Sequence, residues 1–177
     1  MGKYVLALLV LIGAIVAAVW WSGIFAVDMD PSIATDYRNA TYEIDLQPIK
    51  LENGRAESFV VSDSDAKAIT QYFGNDAMGD LNGDGLADVA FLLTQQSGGS
   101  GTFYYVAAAQ KAGNGYRGMN AVLLGDRIAP QSTEIHNMQI IVNYAERRGD
   151  EPMTAQPSIG VSKYFRINNG RLTEEGI

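Results

Sequence analysis

The sequence predicts a mainly β protein, an antiparallel twisted sheet or open barrel with at most one short helix, preceded by one N-terminal transmembrane helix. Short runs of alternating, β-branched and aromatic residues recur along residues 41–177, which is typical of strands. Asn-Gly and Gly-rich turn sequences separate these runs. Within residues 41–177, only residues 62–72 favour a helix, so an α+β arrangement remains the alternative.

The first element is an uncharged apolar segment of 24 residues, from 4 to 27. About twenty apolar residues span a bilayer core, and Trp20 and Trp21 lie near one end, as interfacial aromatics do. Lys3 precedes the segment and Asp28 follows it, so the positive-inside rule places the short N-terminus in the cytoplasm. Because an exported chain without cysteine fits a bacterial envelope, we expect residues 1–27 to be a single-pass anchor in a bacterial inner membrane, with the C-terminal domain in the periplasm.

A cleaved secretory signal is the alternative for this segment. Its apolar region would be about 7–15 residues long and followed by small residues. Residues 16–18 are small enough, but Val19, Trp20 and Trp21 continue the apolar run. The chain has no cysteine, which excludes lipid attachment at a bacterial lipobox. Both interpretations export residues 28–177.

The exported part is acidic. The whole chain has a formal charge of −7, and setting aside the one positive charge of Lys3 leaves −8 for residues 28–177. An acidic surface argues against nucleic acid as a partner. A domain of about 150 residues can bury a core without disulfides. The predicted partners are therefore the membrane, through the anchor, and an envelope protein or a glycan.

The exported part is expected to begin with a polar tether, residues 28–40, followed by a single domain, residues 41–177. Residues 41–46 alternate as a strand does. Asn53-Gly54 predicts a hairpin between the runs 49–51 and 56–61. Ser64 or Asp65 is a candidate N-cap for the short helix over residues 62–72.

The second half of the domain is predicted to be entirely β, for a total of about eight strands. A strand over 89–94 is predicted to pair with a strand over 102–109 through the loop 95–101, and a turn at 113–115 leads into residues 118–124. Residues 135–144 are predicted to form a hairpin or one long strand, followed by a loop over 147–157. The last predicted hairpin pairs residues 162–167 with residues 171–174.

The most informative stretch for function is Asp-Leu-Asn-Gly-Asp-Gly-Leu-Ala-Asp, residues 80–88. Ca²⁺ takes six to eight oxygen ligands, so it needs several carboxylates around one point. Gly83 and Gly85 tolerate the positive φ that a tight curl requires. We predict five metal ligands within this stretch. Four are the side chains at its first, third, fifth and ninth positions, Asp80, Asn82, Asp84 and Asp88, and the fifth is the backbone carbonyl of Leu86 at the seventh position.

The alternative is a plain acidic surface turn, since Asp, Asn and Gly favour turns without any metal. Three aspartates within nine residues would repel one another in an empty tight turn, which favours the metal site. A helix–loop–helix Ca²⁺ hand is excluded because its twelfth position, normally a bidentate Glu, is Phe91. A strand follows the loop instead, and Asp88 at its start is the best candidate for a bidentate ligand.

Phe73-Gly74 followed by residues 79–89 resembles the Phe-Gly and Asp-x-Asn-x-Asp-Gly-x-x-Asp core of FG-GAP repeats, the Ca²⁺-binding hairpin loops of integrin-type β-propellers. The resemblance implies the same five metal ligands. It covers about twenty residues and occurs once, so the propeller fold does not carry over. The run from this loop through residue 105 also resembles uncharacterised bacterial envelope proteins with one hydrophobic N-terminal segment.

No other motif indicates chemistry. His136 is the only histidine, and it lacks the additional ligands of a zinc site and the partners of a catalytic triad. The Gly-rich residues 96–101 precede a β-prone run, so a hairpin loop is expected there and not a phosphate cradle. No catalytic residue is predicted. The leading hypothesis is a membrane-anchored Ca²⁺-binding domain with a structural or interaction role, and the alternatives are a metal-dependent envelope hydrolase and a passive glycan- or protein-binding module.

Overall fold

The computed structural model describes residues 30–59 and 67–176. The predicted transmembrane segment, residues 4–27, lies outside these residues. Within the described part, no helix has the length and apolarity needed to cross a bilayer. Pro31–Ile177 forms one compact unit.

The described residues contain thirteen strands and one short 3₁₀ helix, which confirms the prediction of a mainly β fold. The 3₁₀ helix is Tyr37–Asn39. The strands are β1 (Ile33–Ala34), β2 (Thr41–Ile44), β3 (Gln47–Lys50), β4 (Arg55–Phe59), β5 (Lys67–Gly79), β6 (Asp88–Gln96), β7 (Phe103–Ala112), β8 (Gly115–Gly118), β9 (Val122–Asp126), β10 (Ala129–His136), β11 (Gln139–Glu146), β12 (Ile159–Asn168) and β13 (Arg171–Glu175).

The strands form three antiparallel sheets. The largest has seven strands in the order β1-β8-β7-β6-β5-β4, and β9 also pairs with β7. The second contains β10-β11-β12-β13 as a meander, and the third is the β2-β3 hairpin. Most neighbouring strands are also neighbours in sequence, as short antiparallel connections require.

Strands β6 and β7 are buried on both faces, which explains their continuous apolar sequences. Ala90 and Leu92 of β6 face one core, which β10–β13 cover with residues such as Phe165. The alternate residue Phe91 faces the other core, covered by the β2-β3 hairpin through Tyr42. The domain is therefore layered, with the seven-stranded sheet in the middle.

Several predicted pairings are confirmed. Strand β6 pairs with β7 in antiparallel register, with Leu92 opposite Val106. The turns before β8 and before β13 form as expected, and the segment 135–144 is a hairpin rather than one long strand. In each case the turn contains Gly or Asn with positive φ.

The prediction of a hairpin between residues 49–51 and 56–61 is wrong. The Asn53-Gly54 turn forms, but only the isolated bridge between Glu52 and Arg55 spans it. Strand β3 pairs with β2, with Ile49 opposite Tyr42, and β4 pairs with β5. The β2-β3 connection was missed because its turn residues are Asp45 and Leu46, which adopt positive φ without the usual glycine.

The predicted helix over residues 62–72 is also wrong where the structure describes it, since Lys67 to Tyr72 belong to β5. Ala68 and Thr70 are buried, whereas Lys67 and Gln71 are exposed. This alternation has the period of two that a strand requires. A short run of Ala, Ile and Thr is ambiguous in sequence, and pairing with β6 decides its conformation.

Part of the segment predicted as a tether lies in the folded unit. Ile33–Ala34 pairs with β8, and the Asp36 carboxylate caps the 3₁₀ helix by accepting from the Arg38 backbone N–H at 2.8 Å. The Tyr37 ring packs near Phe91, with the ring centroids 5.3 Å apart. Aromatic burial therefore orders this segment, whose polar residues suggested a linker.

Candidate metal centre

The predicted metal loop is the β5-β6 connection, residues 80–87. Leu81 is buried in the core between the seven-stranded and four-stranded sheets. Residues 82–87 are exposed. One apolar side chain thus anchors the loop, and its polar part faces solvent.

The Asp80 carboxylate organises the curl of the loop. It accepts backbone N–H groups from Asn82, Gly83 and Gly85 at donor–acceptor distances of 3.1, 2.7 and 2.9 Å. The hydrogen bond from Gly85 and then that from Gly83 lower the pKa of Asp80. Gly83 and Gly85 have φ of +83° and +80°, which confirms the predicted reason for glycine at both positions.

The same local pattern repeats along the loop. The Asn82 Oδ1 accepts from the Asp84 backbone N–H at 2.9 Å, and the Asp84 Oδ1 accepts from the Leu86 backbone N–H at 2.8 Å. The Asn82 side-chain amide also donates to the Asp84 Oδ2 at 2.9 Å. The alternating side chains at 80, 82 and 84 therefore all fold back onto their own loop as successive Asx turns.

Asp88, the first residue of β6, lies beneath the loop and has no solvent exposure. Its Oδ2 accepts from the Leu81 backbone N–H at 3.0 Å, and its Oδ1 accepts from the Lys111 backbone N–H at 2.8 Å. Burial raises the pKa of Asp88, and the charges of Asp84 and Asp80 raise it further, while the two N–H groups oppose the shift.

The structure brings part of the predicted ligand set together. Asp80, Asn82 and Asp84 are joined by hydrogen bonds on the exposed loop, and Asp88 is linked to the loop through Leu81. In residues 30–59 and 67–176, however, no three His, Cys, Asp or Glu side chains are grouped so that they could hold a metal ion. Asp80 Oδ1 already accepts two backbone N–H groups, whereas Asp80 Oδ2 and both Asp84 oxygens accept one hydrogen bond each and keep a second lone pair for a cation.

Two residues next to the loop were not predicted. Lys111 contributes its backbone N–H to Asp88, and its ammonium lies over the Tyr116 ring, 4.4 Å from the centroid. Met138 lies beside the loop tip, because a Cβ on Gly83 would be 3.6 Å from the Met138 sulfur. The Lys111–Asp88 and Met138–Gly83 contacts join residues far apart in sequence, so no local motif could have revealed them.

The remaining candidate residues have ordinary surroundings. His136 is exposed at the end of β10, with Nε2 at 3.2 Å from Glu134 Oε2. The Gly-rich segment 96–101 connects β6 to β7 directly, so no helix N-terminus follows it. The segment is closed by the Asp126 carboxylate, which accepts from the Thr102 backbone N–H at 2.9 Å.

Comparison with known proteins gives no match: no protein-family model, no curated protein and no solved structure is similar to this chain. The geometry of the 80–88 loop is therefore the basis for inferring a function.

Proposed function

We propose that this protein is a membrane-anchored, periplasm-facing domain that binds Ca²⁺ at the 80–88 loop, and that the ion rigidifies the loop for stability or for contact with an envelope partner. The proposal is supported above all by the alternating arrangement of Asp80, Asn82 and Asp84. Their oxygens lie on one short, exposed curl whose backbone is already fixed by hydrogen bonds. A preformed loop reduces the conformational entropy lost on binding an ion.

The ligand count fits a weak site. Three side chains and the Leu86 carbonyl come from the loop itself, and waters complete the six to eight oxygens that Ca²⁺ takes. Asp88 would add a ligand only if it kept its two backbone hydrogen bonds, since losing them would leave buried N–H groups unpaired. Exported Ca²⁺ modules commonly have dissociation constants of about 10⁻⁴–10⁻³ M.

An ion at this loop would act on the strands around it. Asp88 connects the loop base through Leu81 to the end of β7 at Lys111. A stiffened loop would therefore hold the β5, β6 and β7 ends in one arrangement. This supports a structural or interaction role.

A metal-dependent hydrolase is the less favoured alternative. It would need a base or a cationic side chain close to the ion, and no Lys or Arg occurs between Lys67 and Lys111. The Lys111 ammonium lies over the Tyr116 ring.

The test is the Ca²⁺-dependent melting temperature of the full-length protein in detergent. Ca²⁺ at about a hundred times the dissociation constant should stabilise the fold by about 2.7 kcal/mol if it binds only the folded state. Asp84→Asn should reduce this stabilisation to about 1.4 kcal/mol or less, because Asn keeps the hydrogen bond to Leu86 but removes the charge and weakens binding at least tenfold. Asp150→Ala, which removes one exposed carboxylate from the 147–158 loop, is the control. The absence of any shift at millimolar Ca²⁺ would defeat the proposal.

A further inference from the structure

The tip of the 80–87 loop rests against the two-residue turn between β10 and β11. His136 pairs with Gln139, so Asn137 and Met138 are the two turn residues. The Met138 sulfur lies 3.6 Å from the position that a Cβ on Gly83 would occupy. The thioether therefore covers the open side of Gly83, at the point where Gly83 donates its N–H to Asp80.

Met138 holds this position in an unfavourable backbone conformation. Asn137 and Met138 have φ of +51° and +60°, as a type I′ turn requires at both positions. Glycine is the usual second residue of such a turn, and a bulky side chain there is strained. Methionine therefore occupies a turn position suited to glycine, and its side chain lies against the loop tip.

The loop and the turn are fixed on both sides of this contact. Leu81 of the loop and Ile140 of β11 belong to the same buried core. Gly79 and Ile135 are so close that a Cβ on Gly79 would lie 2.7 Å from the Ile135 Cγ2. Arg166 Nη1 also donates to the Asn137 carbonyl at 2.9 Å, which holds the turn in place. The backbones on both sides of the contact are therefore held in place, which leaves the Met138 side chain and the loop tip as the parts that can move.

We propose that Met138 is an oxidation site whose conversion to the sulfoxide loosens the 80–87 loop. Its side chain is 45% exposed and accessible to peroxide. A peroxide transfers one oxygen atom to the sulfur, the O–O bond breaks, the sulfur is oxidised to S=O, and the peroxide is reduced to water. The product is polar and bulkier at sulfur, so it no longer packs against Gly83. Because the chain has no cysteine, methionine sulfur is its most readily oxidised group.

The effect of Met138 oxidation on ion binding rests on the proposed function, whereas its effect on the loop does not. A looser tip breaks the hydrogen bonds from the Gly83 and Gly85 amides to Asp80 more often. It also removes the preformed curl that Ca²⁺ would use. We expect oxidation to increase amide exchange in the 80–88 peptide and to weaken Ca²⁺ binding, each roughly fivefold.

The experiment treats the full-length protein in detergent with hydrogen peroxide and locates sulfoxides by peptide mass spectrometry. Hydrogen exchange of the 80–88 peptide and Ca²⁺ affinity are then measured on the same samples. Met138→Leu keeps an apolar side chain of similar size and cannot be oxidised. Met153→Leu is the matched control, because Met153 is 58% exposed in the 147–158 loop.

Peroxide should increase exchange in the wild type and in Met153→Leu but not in Met138→Leu, and methionine sulfoxide reductase should reverse it. An equal response in Met138→Leu, or complete oxidation of Met138 without altered exchange, would overturn the proposal. If the untreated protein binds no Ca²⁺, the proposed function fails, while the exchange measurement still decides the role of Met138.

Discussion

The buried carboxylate of Asp88 accepts a hydrogen bond from the Lys111 backbone N–H at 2.8 Å, which joins the start of β6 to the end of β7. The other Asp88 oxygen holds the Leu81 N–H at the base of the 80–87 loop. One side chain thus links the candidate metal loop to the central sheet. Asp88, which the sequence predicted only as a metal ligand, thus has a structural role in the fold.

Asp88→Ala should therefore destabilise the domain. The substitution leaves the N–H groups of Leu81 and Lys111 without their acceptor, and each unpaired buried donor costs about 1–3 kcal/mol. Asp88→Asn should cost less, because it keeps one acceptor oxygen and removes a buried charge. The free energies of unfolding of both variants are measured in urea, with Asp150→Ala, a change at an exposed residue, as the control. Asp88→Ala with wild-type stability would contradict this role.

Gly85→Ala should destabilise the loop through the backbone alone. Gly85 has φ of +80°, and a Cβ there would meet nothing within 4 Å, so the cost is conformational and about 1 kcal/mol or more. Gly85→Asn should cost less, since Asn tolerates this conformation better. Gly99→Ala is the control, because Gly99 has equal space and no positive φ. Equal unfolding free energies for the two alanine variants would show that the loop does not require this conformation.

The stability of the domain should depend on the ionisation of Asp126. The Arg127 side chain beside Asp126 holds the pKa of that carboxyl below its usual value of 3.8, with help from the Thr102 N–H. A lowered acid pKa stabilises the folded state above the unfolded value, and this contribution is lost as the pH falls from about 3.8 through the lower folded value. The free energy of unfolding, measured from pH 6 to 2.5, should fall less with decreasing pH in Asp126→Asn than in the wild type. An unchanged profile would exclude this contribution.

The anchor predicted over residues 4–27 should remain uncut, because its apolar run continues through Trp20 and Trp21. Edman sequencing of membrane-extracted protein should begin at or near Met1, and a reporter fused after Ile177 should be active only in the exported compartment. A mature chain that begins at Val19 or later and is free in the periplasm would contradict the prediction.

The sequence predicted the elements that are determined by neighbouring residues and failed for those that depend on contacts between distant parts of the chain. The turns at Gly113 and Gly170 were found because glycine marks positive φ directly. The β2-β3 hairpin was missed because its turn uses Asp45 and Leu46 in that conformation. Residues 67–72 were assigned to a helix because only their pairing with β6, a non-local interaction, makes them a strand.

The candidate site shows the same division. The curl around Asp80 follows from the spacing of Asp, Asn and Gly, and the structure has it. The burial of Asp88 and the position of Met138 depend on strands brought together by the tertiary fold. No spacing within residues 80–88 contains that information.

Calcium binding at the 80–88 loop is measured by a calorimetric titration of the full-length protein with Ca²⁺. One ion should bind with a dissociation constant of about 10⁻⁴–10⁻³ M. Asp84→Asn should bind at least tenfold more weakly, because it removes a charge from the coordination shell. His136→Ala, a change at an exposed residue outside the loop, should bind as the wild type does. No heat at millimolar Ca²⁺, or equal binding by Asp84→Asn, would contradict the assignment of the 80–88 loop as a calcium site.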